Sequence, residues 1–236
     1  MSTYDSTSFI SKVNNLSDTC INLKGNDLFH FCLNYSKKMA SLTNGFFNPA
    51  VYPLVNYWGF YNDTVPLIDS MFIKDSILIY VDLDLNFKIT KKNSEDFLCK
   101  KNKKSKLDFN AVAQGYSVDL IADFLNNKGV IHYLIEIGGE LAAKGLNING
   151  EPWKIGIEKP VDNSFTAEHT FQNIIELNNK SLATSGNYRK FKIINGQKVA
   201  HSINPKTGYP AKNSLLSVTV ISDKAAEADA LATAFM

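Results

Sequence analysis

Three stretches of the chain are predicted to be helices, and the first two repeat apolar residues at the three- and four-residue intervals of amphipathic helices. The first follows Asn26, a favourable N-cap, ends at Asn44-Gly45 and is predicted to bury a stripe made of Leu28, Phe31, Cys32, Tyr35, Met39 and Leu42. The second starts within the stretch Leu107–Asp119 and ends at Gly129, with apolar residues at Val118, Ile121, Ala122 and Leu125. The third is rich in alanine and follows Asp223, which is predicted to cap it.

Other stretches alternate apolar and polar residues, the pattern of strands with one buried face. The alternation is strict from Val81 to Thr90, and further strands are predicted at Ile131–Ile137, from Trp153 to Ile157, around Phe171 to Ile175 and at Ser217–Ser222. Asn195-Gly196 is a strong hairpin-turn signal between two more strands. The aromatic, proline-containing stretch 45–60 has no clear period and is predicted to be an ordered loop or a short helix. Because helices and strands do not alternate regularly, the predicted fold is α+β, a mixed, largely antiparallel sheet packed with helices.

Composition limits the function classes that this chain can belong to. A length of 236 residues, 44% of them hydrophobic, is enough for one large domain or two small ones. The 25 Lys and Arg residues nearly balance the 23 Asp and Glu residues, so no nucleic-acid partner is predicted. Cys20, Cys32 and Cys99 lack CxxC spacing and are interpreted as buried or incidental thiols, neither zinc ligands nor a disulfide framework. The lysines between residues 100 and 106 are predicted to lie in a solvated hairpin loop.

Three short features carry possible chemistry. The turn of small residues before the second helix lets backbone amides approach an anion, and Asp108 adds an oxygen donor there. Gly138-Gly139, at the end of a predicted strand, also permits close approach of a ligand. Asp229 and Thr233 are four residues apart in the last helix, so they share a face that suits a hard cation. Each feature alone is also compatible with ordinary packing, which is the commoner explanation for a pair such as Asp229 and Thr233.

Taken in order, these segments resemble the ApbE family, the FAD:protein FMN transferases. The resemblance rests on seven blocks that keep the family's order, in residues 1–14, 47–60, 107–119, 138–153, 183–189, 201–210 and 227–233. It implies one ApbE-like domain over residues 1–236, with family segments before residue 1 and after residue 236 missing. It also implies a Mg²⁺-dependent enzyme that moves FMN from FAD to a threonine of an acceptor protein through a phosphoester bond and releases AMP.

Family acceptors are flavin-carrying subunits of redox pumps and related proteins, which implies an extracytoplasmic, membrane-associated location. Two alternatives stay open at this point. The first is an FAD pyrophosphatase that gives FMN and AMP with water as the acceptor. The second is a flavin-binding protein without catalysis.

The resemblance also assigns the site residues. The Mg²⁺ ligands are the backbone carbonyl of Ala111 and the side chains of Asp229 and Thr233, whereas some members carry an additional acidic ligand where this chain has Ala232. His201 is the candidate general base for the threonine hydroxyl, and orienting the loop 204–210 is its equally weighted alternative. The residues assigned to the FAD pocket are Tyr4, Phe46, Phe47, Asn48, Asp108, Gln114, Gly138, Gly139, Thr184, Ser185 and Ile203.

Overall fold

A computed structural model describes residues 1–17, 19–62, 69–160, 171–188, 191–194 and 196–236. Arg189 of the family block 183–189 and Asn195 of the predicted hairpin turn lie outside the described residues. The chain divides into two compact units, one of residues 1–110 with 193–211 and one of residues 111–192 with 212–236. The predicted α+β class with antiparallel sheets is confirmed.

The first unit combines one long helix and several short helices with a three-stranded sheet. Its helices are Phe9–Asn15 (α1), Asp27–Leu42 (α2), Tyr52–Tyr57 (α3), Ser70–Phe72 (α4), Leu78–Val81 (α5) and Leu83–Asn86 (α6), with a 3₁₀ turn at Pro49–Val51 and a π-helical turn at Ile73–Ile77. Its strands Thr19–Asn22 (β1), Phe87–Lys92 (β2) and Glu95–Lys100 (β3) form an antiparallel sheet in the order β1-β3-β2. The prediction of a short helix within residues 45–60 is confirmed.

The second unit packs two long helices on a four-stranded antiparallel sheet. It contains Ala113–Asn127 (α7), Tyr133–Ile137 (β4), Glu140–Lys144 (β5), Trp153–Glu158 (β6), Phe171–Leu177 (β7) and Lys180–Gly186 (β8). The paired strands Phe191–Ile194 (β9) and Gln197–Ala200 (β10) follow along the chain, and most of their residues belong to the first unit. The last elements of the second unit are Ser217–Ser222 (β11) and Ala225–Phe235 (α8). The strand order is β11-β8-β5-β4, with β6 and β7 paired separately. Among the described residues no helix has both the length and the apolar character to cross a membrane.

The early helix α2 has the predicted bounds but a different buried face. Cys32 and Met39 are buried as expected, whereas Leu28 and Leu42 are 52% and 62% exposed. The buried face of α2 consists of Phe29, Cys32, Leu33, Ser36 and Met39. The predicted stripe was therefore partly wrong, because an apolar residue beside the true face extends the periodic pattern without being buried.

The predicted strand from Val81 to Thr90 was also partly wrong. The strand β2 begins only at Phe87, and the preceding residues form α6. The side chain of Asp82 accepts a hydrogen bond from the backbone N–H of Leu85 at 2.8 Å and so caps this helix. A local N-cap thus outweighed the alternation of apolar residues.

Two cysteines form a disulfide that the sequence interpretation did not anticipate. Cys20 and Cys99 lie directly opposite each other on β1 and β3 and are bonded, while Cys32 is a buried free thiol. Their sequence separation of 79 residues gives no local signal for the pairing. The interpretation of Cys20 and Cys99 as incidental thiols was therefore wrong.

Lys100 does not belong to the solvated lysine run. Lys100 is only 1% exposed. Its Nζ donates hydrogen bonds to two backbone carbonyls near the end of α1, that of Asn14 at 2.6 Å and that of Val13 at 3.4 Å. Burial, followed by the charge of Lys106, lowers the pKa of Lys100 to about 8. The predicted loop assignment was wrong at this position, since Lys100 ends β3.

This buried amine should make stability depend on pH. A lysine whose pKa is lowered on folding binds fewer protons in the folded than in the unfolded state, so the free energy of unfolding rises with pH from about 8 to about 10.5. We expect a rise of about 2 kcal/mol between pH 7 and pH 10 that Lys100→Met abolishes. Urea unfolding at a series of pH values measures it, with the exposed Lys101→Met as the matched control. An unchanged slope in Lys100→Met would refute the assignment.

Candidate active site

Helices α7 and α8 approach each other closely at Gly115. A Cβ at this position would lie 2.4 Å from the carbonyl oxygen of Ala225, so only glycine fits without a shift of the backbone. The N–H of Gly115 donates a hydrogen bond to Oδ2 of Asp229 at 3.2 Å. The alanines around Asp229 leave room for this approach, and Asp229 is only 5% exposed. The structure thus brings the small-residue turn and the predicted Mg²⁺ carboxylate together.

The same stretch caps α8. Asp119 on α7 accepts hydrogen bonds from the N–H groups of Ala225 at 2.9 Å and Ala226 at 3.0 Å. The predicted capping by Asp223 was wrong, because its carboxylate instead pairs with Lys180 at 2.5 Å. A carboxylate at a helix N-terminus satisfies free amides and interacts favourably with the helix dipole. Asp119 therefore fixes the position of the helix that carries Asp229.

One of the two predicted hydroxyl residues of β8 lies beside a predicted cation ligand. The Oγ of Ser185 is 3.4 Å from Oγ1 of Thr233, the predicted ligand one turn after Asp229. Thr184 points to the other face of the sheet, where its hydroxyl lies 2.9 Å from that of Thr219 on β11. Ser185 thus joins the predicted cation residues, whereas Thr184 is part of a cross-strand pair.

The Gly138-Gly139 turn packs against Gln114. Both glycines have positive φ angles, and a Cβ on Gly138 would lie 2.0 Å from Nε2 of Gln114. Oε2 of Glu140 lies 3.5 Å from the same Cβ position. The glycine therefore makes room for two polar side chains, of which the sequence assignment named Gln114 but not Glu140. The sequence signal that could have pointed to Glu140 is its position directly after the glycine pair.

Asp229 and Glu140 are both buried carboxylates. Burial is the main cause that raises the pKa of Glu140 to about 7. Burial also raises the pKa of Asp229 well above its usual value, the charge of Glu140 adds to this effect, and the N–H of Gly115 opposes it. Removing carboxylates from water disfavours their charged form, and a bound cation would reverse that preference.

The predicted ligand residues offer oxygen atoms, which suit Mg²⁺ better than a metal that prefers sulfur or nitrogen. Among the described residues, no three His, Cys, Asp or Glu side chains cluster at one place. Mg²⁺ needs only one or two carboxylates, with neutral oxygens, water and substrate phosphate completing its octahedron. Asp229, the hydroxyl of Thr233 and the carbonyl of Ala111, in the turn that leads into α7, supply oxygens of this kind.

In the first unit, hydrogen bonds fix both the backbone and the side chain of Asp108. The backbone of Leu107 is bonded twice to the buried side chain of Asn14, at 2.7 and 2.8 Å, and the N–H of Asp108 donates to the Pro49 carbonyl at 2.7 Å. The carboxylate of Asp108 accepts hydrogen bonds from the hydroxyl of Tyr61 and from the N–H of Asn110. Burial raises the pKa of Asp108, and these two donors oppose the rise.

The aromatic residues predicted to contact FAD differ in exposure. Tyr4 is 76% exposed and lies edge-on to Tyr61 at 6.0 Å. Phe46 is 47% exposed, and Nζ of Lys206 lies 4.8 Å from its ring centre. Phe47 is buried in the core. Tyr4 and Phe46 therefore offer ring surface to a planar ligand, whereas Phe47 does not.

Asn48 has a local structural role. Its Oδ1 accepts a hydrogen bond from the N–H of Ala50 at 2.8 Å, and its Nδ2 donates to the carbonyl of Val81 at 3.0 Å. The side chain thus caps the 3₁₀ turn Pro49–Val51 and ties it to α5. Its assignment to the FAD pocket stays a prediction.

His201 and Ile203 lie in the first unit. The imidazole of His201 is in edge-to-face contact with Phe60, with ring centres 6.2 Å apart. Ile203 packs in a core cluster with Leu54 and Trp58, and its backbone bridges to Pro210. Because the Ile203 side chain is in the core, a ligand contact there would involve its backbone.

Comparison with known proteins identifies the family to which this chain belongs. The sequence profile of the ApbE family matches residues 1–236. The chain belongs to the ApbE family. It is similar to the FAD:protein FMN transferases of Salmonella typhimurium (34% identical over 200 residues) and Vibrio cholerae (37% over 206 residues); each alignment covers 84% of this chain, and 56% and 57% of the two relatives. This ApbE chain thus spans little more than half the length of those relatives.

Solved ApbE structures share its fold. The apo form of the flavinyl transferase ApbE of Pseudomonas stutzeri superposes with a TM-score of 0.83 at 32% identity, over 100% of this chain and 70% of that one. The flavin transferase ApbE of Vibrio cholerae gives a TM-score of 0.80 at 33% identity, over 100% and 72% of the two chains. The ApbE profile spans every residue assigned to the site, and the roles of those residues stay predictions.

Proposed function

We propose that this chain transfers FMN from FAD to a threonine of an acceptor flavoprotein in a Mg²⁺-dependent reaction that releases AMP. The observation that carries the proposal is the contact of Gly115 with Asp229, because it joins an oxygen ligand for a cation to amides at the start of a helix. That arrangement suits a pyrophosphate with its cation. Membership of the ApbE family supports FAD as the source of the pyrophosphate.

The chemistry proposed for the residues needs positioned oxygens and one base. In the reaction the threonine oxygen bonds to the phosphorus of the FMN half, and the bond from that phosphorus to the bridging oxygen breaks, so AMP leaves with that oxygen. Mg²⁺ bound by Ala111, Asp229 and Thr233 would neutralise charge on the phosphate oxygens. The imidazole side chain of His201 is suited to take the hydroxyl proton, because imidazoles exchange protons near neutral pH. Its alternative role, orienting the loop 204–210, stays open to the same test.

The proposed location is extracytoplasmic and membrane-associated. The disulfide between Cys20 and Cys99 supports the extracytoplasmic part, because disulfides persist in oxidising compartments. The proposed acceptor is a flavin-carrying subunit of a redox pump or a related protein, as the family resemblance implies. A flavoprotein acceptor in the same compartment would be accessible to this chain.

The test is incubation of the chain with FAD, Mg²⁺ and a threonine-bearing acceptor domain. The proposal predicts a fluorescent acceptor whose mass rises by one FMN phosphoester, which EDTA or a threonine-to-valine acceptor prevents. Free FMN and AMP in the presence of unmodified acceptor would identify an FAD pyrophosphatase instead. Bound but intact FAD would identify a binding protein and overturn the proposed catalysis. A His201→Ala variant with full transfer would restrict that residue to the loop role.

A further inference from the structure

Glu140 is a buried acidic side chain to which the proposed reaction gives no role. It is the first residue of β5 and is 8% exposed. Its Oε2 is buried and has no hydrogen-bond partner among the described residues. Burying a carboxylate oxygen without a donor is costly, so native structures keep such groups where a ligand or ion can satisfy them.

The residues around this oxygen adjoin the residue that is hydrogen-bonded to Asp229. Oε2 of Glu140 and Nε2 of Gln114 both lie against the space that glycine leaves open at position 138, at 3.5 and 2.0 Å from the Cβ that another residue would carry there. Gln114 directly precedes Gly115, whose N–H is bonded to Asp229. The first turn of α7 is therefore in contact with Asp229 on one side and with the surroundings of Glu140 on the other.

Helix α8 itself provides a single carboxylate to this place. The residues that share the face of Asp229 on this helix are Ala225, Ala226, Ala232 and Thr233, and none of them carries a charge. The other acidic residue of the helix, Glu227, accepts a hydrogen bond from the hydroxyl of Ser222. A divalent cation at Asp229 would therefore keep one positive charge that α8 does not neutralise. The buried carboxylate of Glu140, whose charge adds to the effect of burial in raising the pKa of Asp229, has one oxygen without a donor among the described residues.

We propose that Glu140 is the second carboxylate of the cation site and faces, together with Asp229, a divalent cation that prefers oxygen ligands. This inference rests on the proposed function and adds to it a residue outside the assigned ligands Ala111, Asp229 and Thr233. The unpaired oxygen of Glu140 gains a partner when the cation binds. The two carboxylates repel each other in its absence and together neutralise a charge of two in its presence.

The test is Mn²⁺ binding to the full chain without FAD, measured by electron paramagnetic resonance of free Mn²⁺. Glu140→Gln keeps the shape of the side chain and removes its charge, and we expect it to weaken Mn²⁺ binding about tenfold or more. Glu136→Gln, at an exposed position of the neighbouring strand β4, is the matched control and should bind Mn²⁺ like the wild type. Glu140→Asp should restore part of the affinity.

Thermal unfolding with and without Mn²⁺ separates this role from a structural one. The inference predicts that Glu140→Gln is as stable as the wild type or more stable without metal, and that Mn²⁺ stabilises it less. Equal Mn²⁺ affinity in the variant and the wild type would overturn the inference and leave the proposed function standing. A wild type that does not bind Mn²⁺ would overturn both the cation site and this inference.

Discussion

Asp229→Ala is expected to lower the proposed Mg²⁺-dependent turnover of FAD by about a thousandfold or more, because it removes the carboxylate proposed to anchor the cation. The side chain is 5% exposed and bonded to the N–H of Gly115. No exposed group can therefore replace it without rearrangement of the helices. AMP release, measured by chromatography at saturating FAD, quantifies the loss.

Two further variants show whether charge or packing causes this loss. Asp229→Asn retains an oxygen that can accept the Gly115 hydrogen bond, so it should fold like the wild type and still lose turnover. Asp223→Ala, on the exposed residue that precedes α8, removes a carboxylate outside the site and should retain turnover. Retained turnover in Asp229→Ala would contradict the assignment of Asp229 as a metal ligand.

Gly115→Ala is expected to lower the free energy of unfolding by about 3 kcal/mol. The new Cβ would lie 2.4 Å from the carbonyl oxygen and 2.8 Å from the Cα of successive residues of α8, which are backbone atoms that cannot rotate away. Helix propensity alone would favour alanine by about 1 kcal/mol, so a net loss shows that the close approach dominates. Urea unfolding measures this change.

The matched control is Gly129→Ala at the end of α7. Gly129 has a φ of +76° and open space around its Cβ position, so this variant should lose only about 1 kcal/mol and retain Mn²⁺ binding. Gly115→Ala should lose both stability and Mn²⁺ binding, since separating the helices moves Gly115 away from Asp229. If Gly115→Ala were as stable as the wild type, the described contact between α7 and α8 would be wrong.

Periodicity located the three longest helices and several strands, but it did not determine which face a helix buries. The bounds of α2 agree with its capping signals, because Asn26 and the Asn44-Gly45 stop are local features. Its buried face depends on which neighbouring elements pack against it, and Leu28 and Leu42 are exposed. Before Phe87 the cause is local instead, because the N-cap Asp82 stabilises a helix where the alternation predicted a strand.

The parts of the candidate site that lie within one short motif could be predicted from the sequence. The parts that depend on contacts between distant residues could not. Asp229 and Thr233 share a helix face at a spacing that the sequence displays. Asp119 caps a helix that begins more than a hundred residues later, a contact that no sequence spacing reveals. Glu140 can be recognised as a candidate ligand only once the structure shows that its side-chain oxygen is buried. The Cys20–Cys99 disulfide likewise depends on the register of two strands, which the sequence does not show.

The proposed transfer of FMN is tested most directly by measuring AMP and acceptor-bound FMN in the same reaction. With FAD, Mg²⁺ and a threonine-bearing acceptor, we expect the two products to form in equal amounts and both to fall to background in Asp229→Ala. AMP without acceptor-bound FMN, or equal product formation by Asp229→Ala, would contradict a Mg²⁺-dependent transfer of FMN at Asp229.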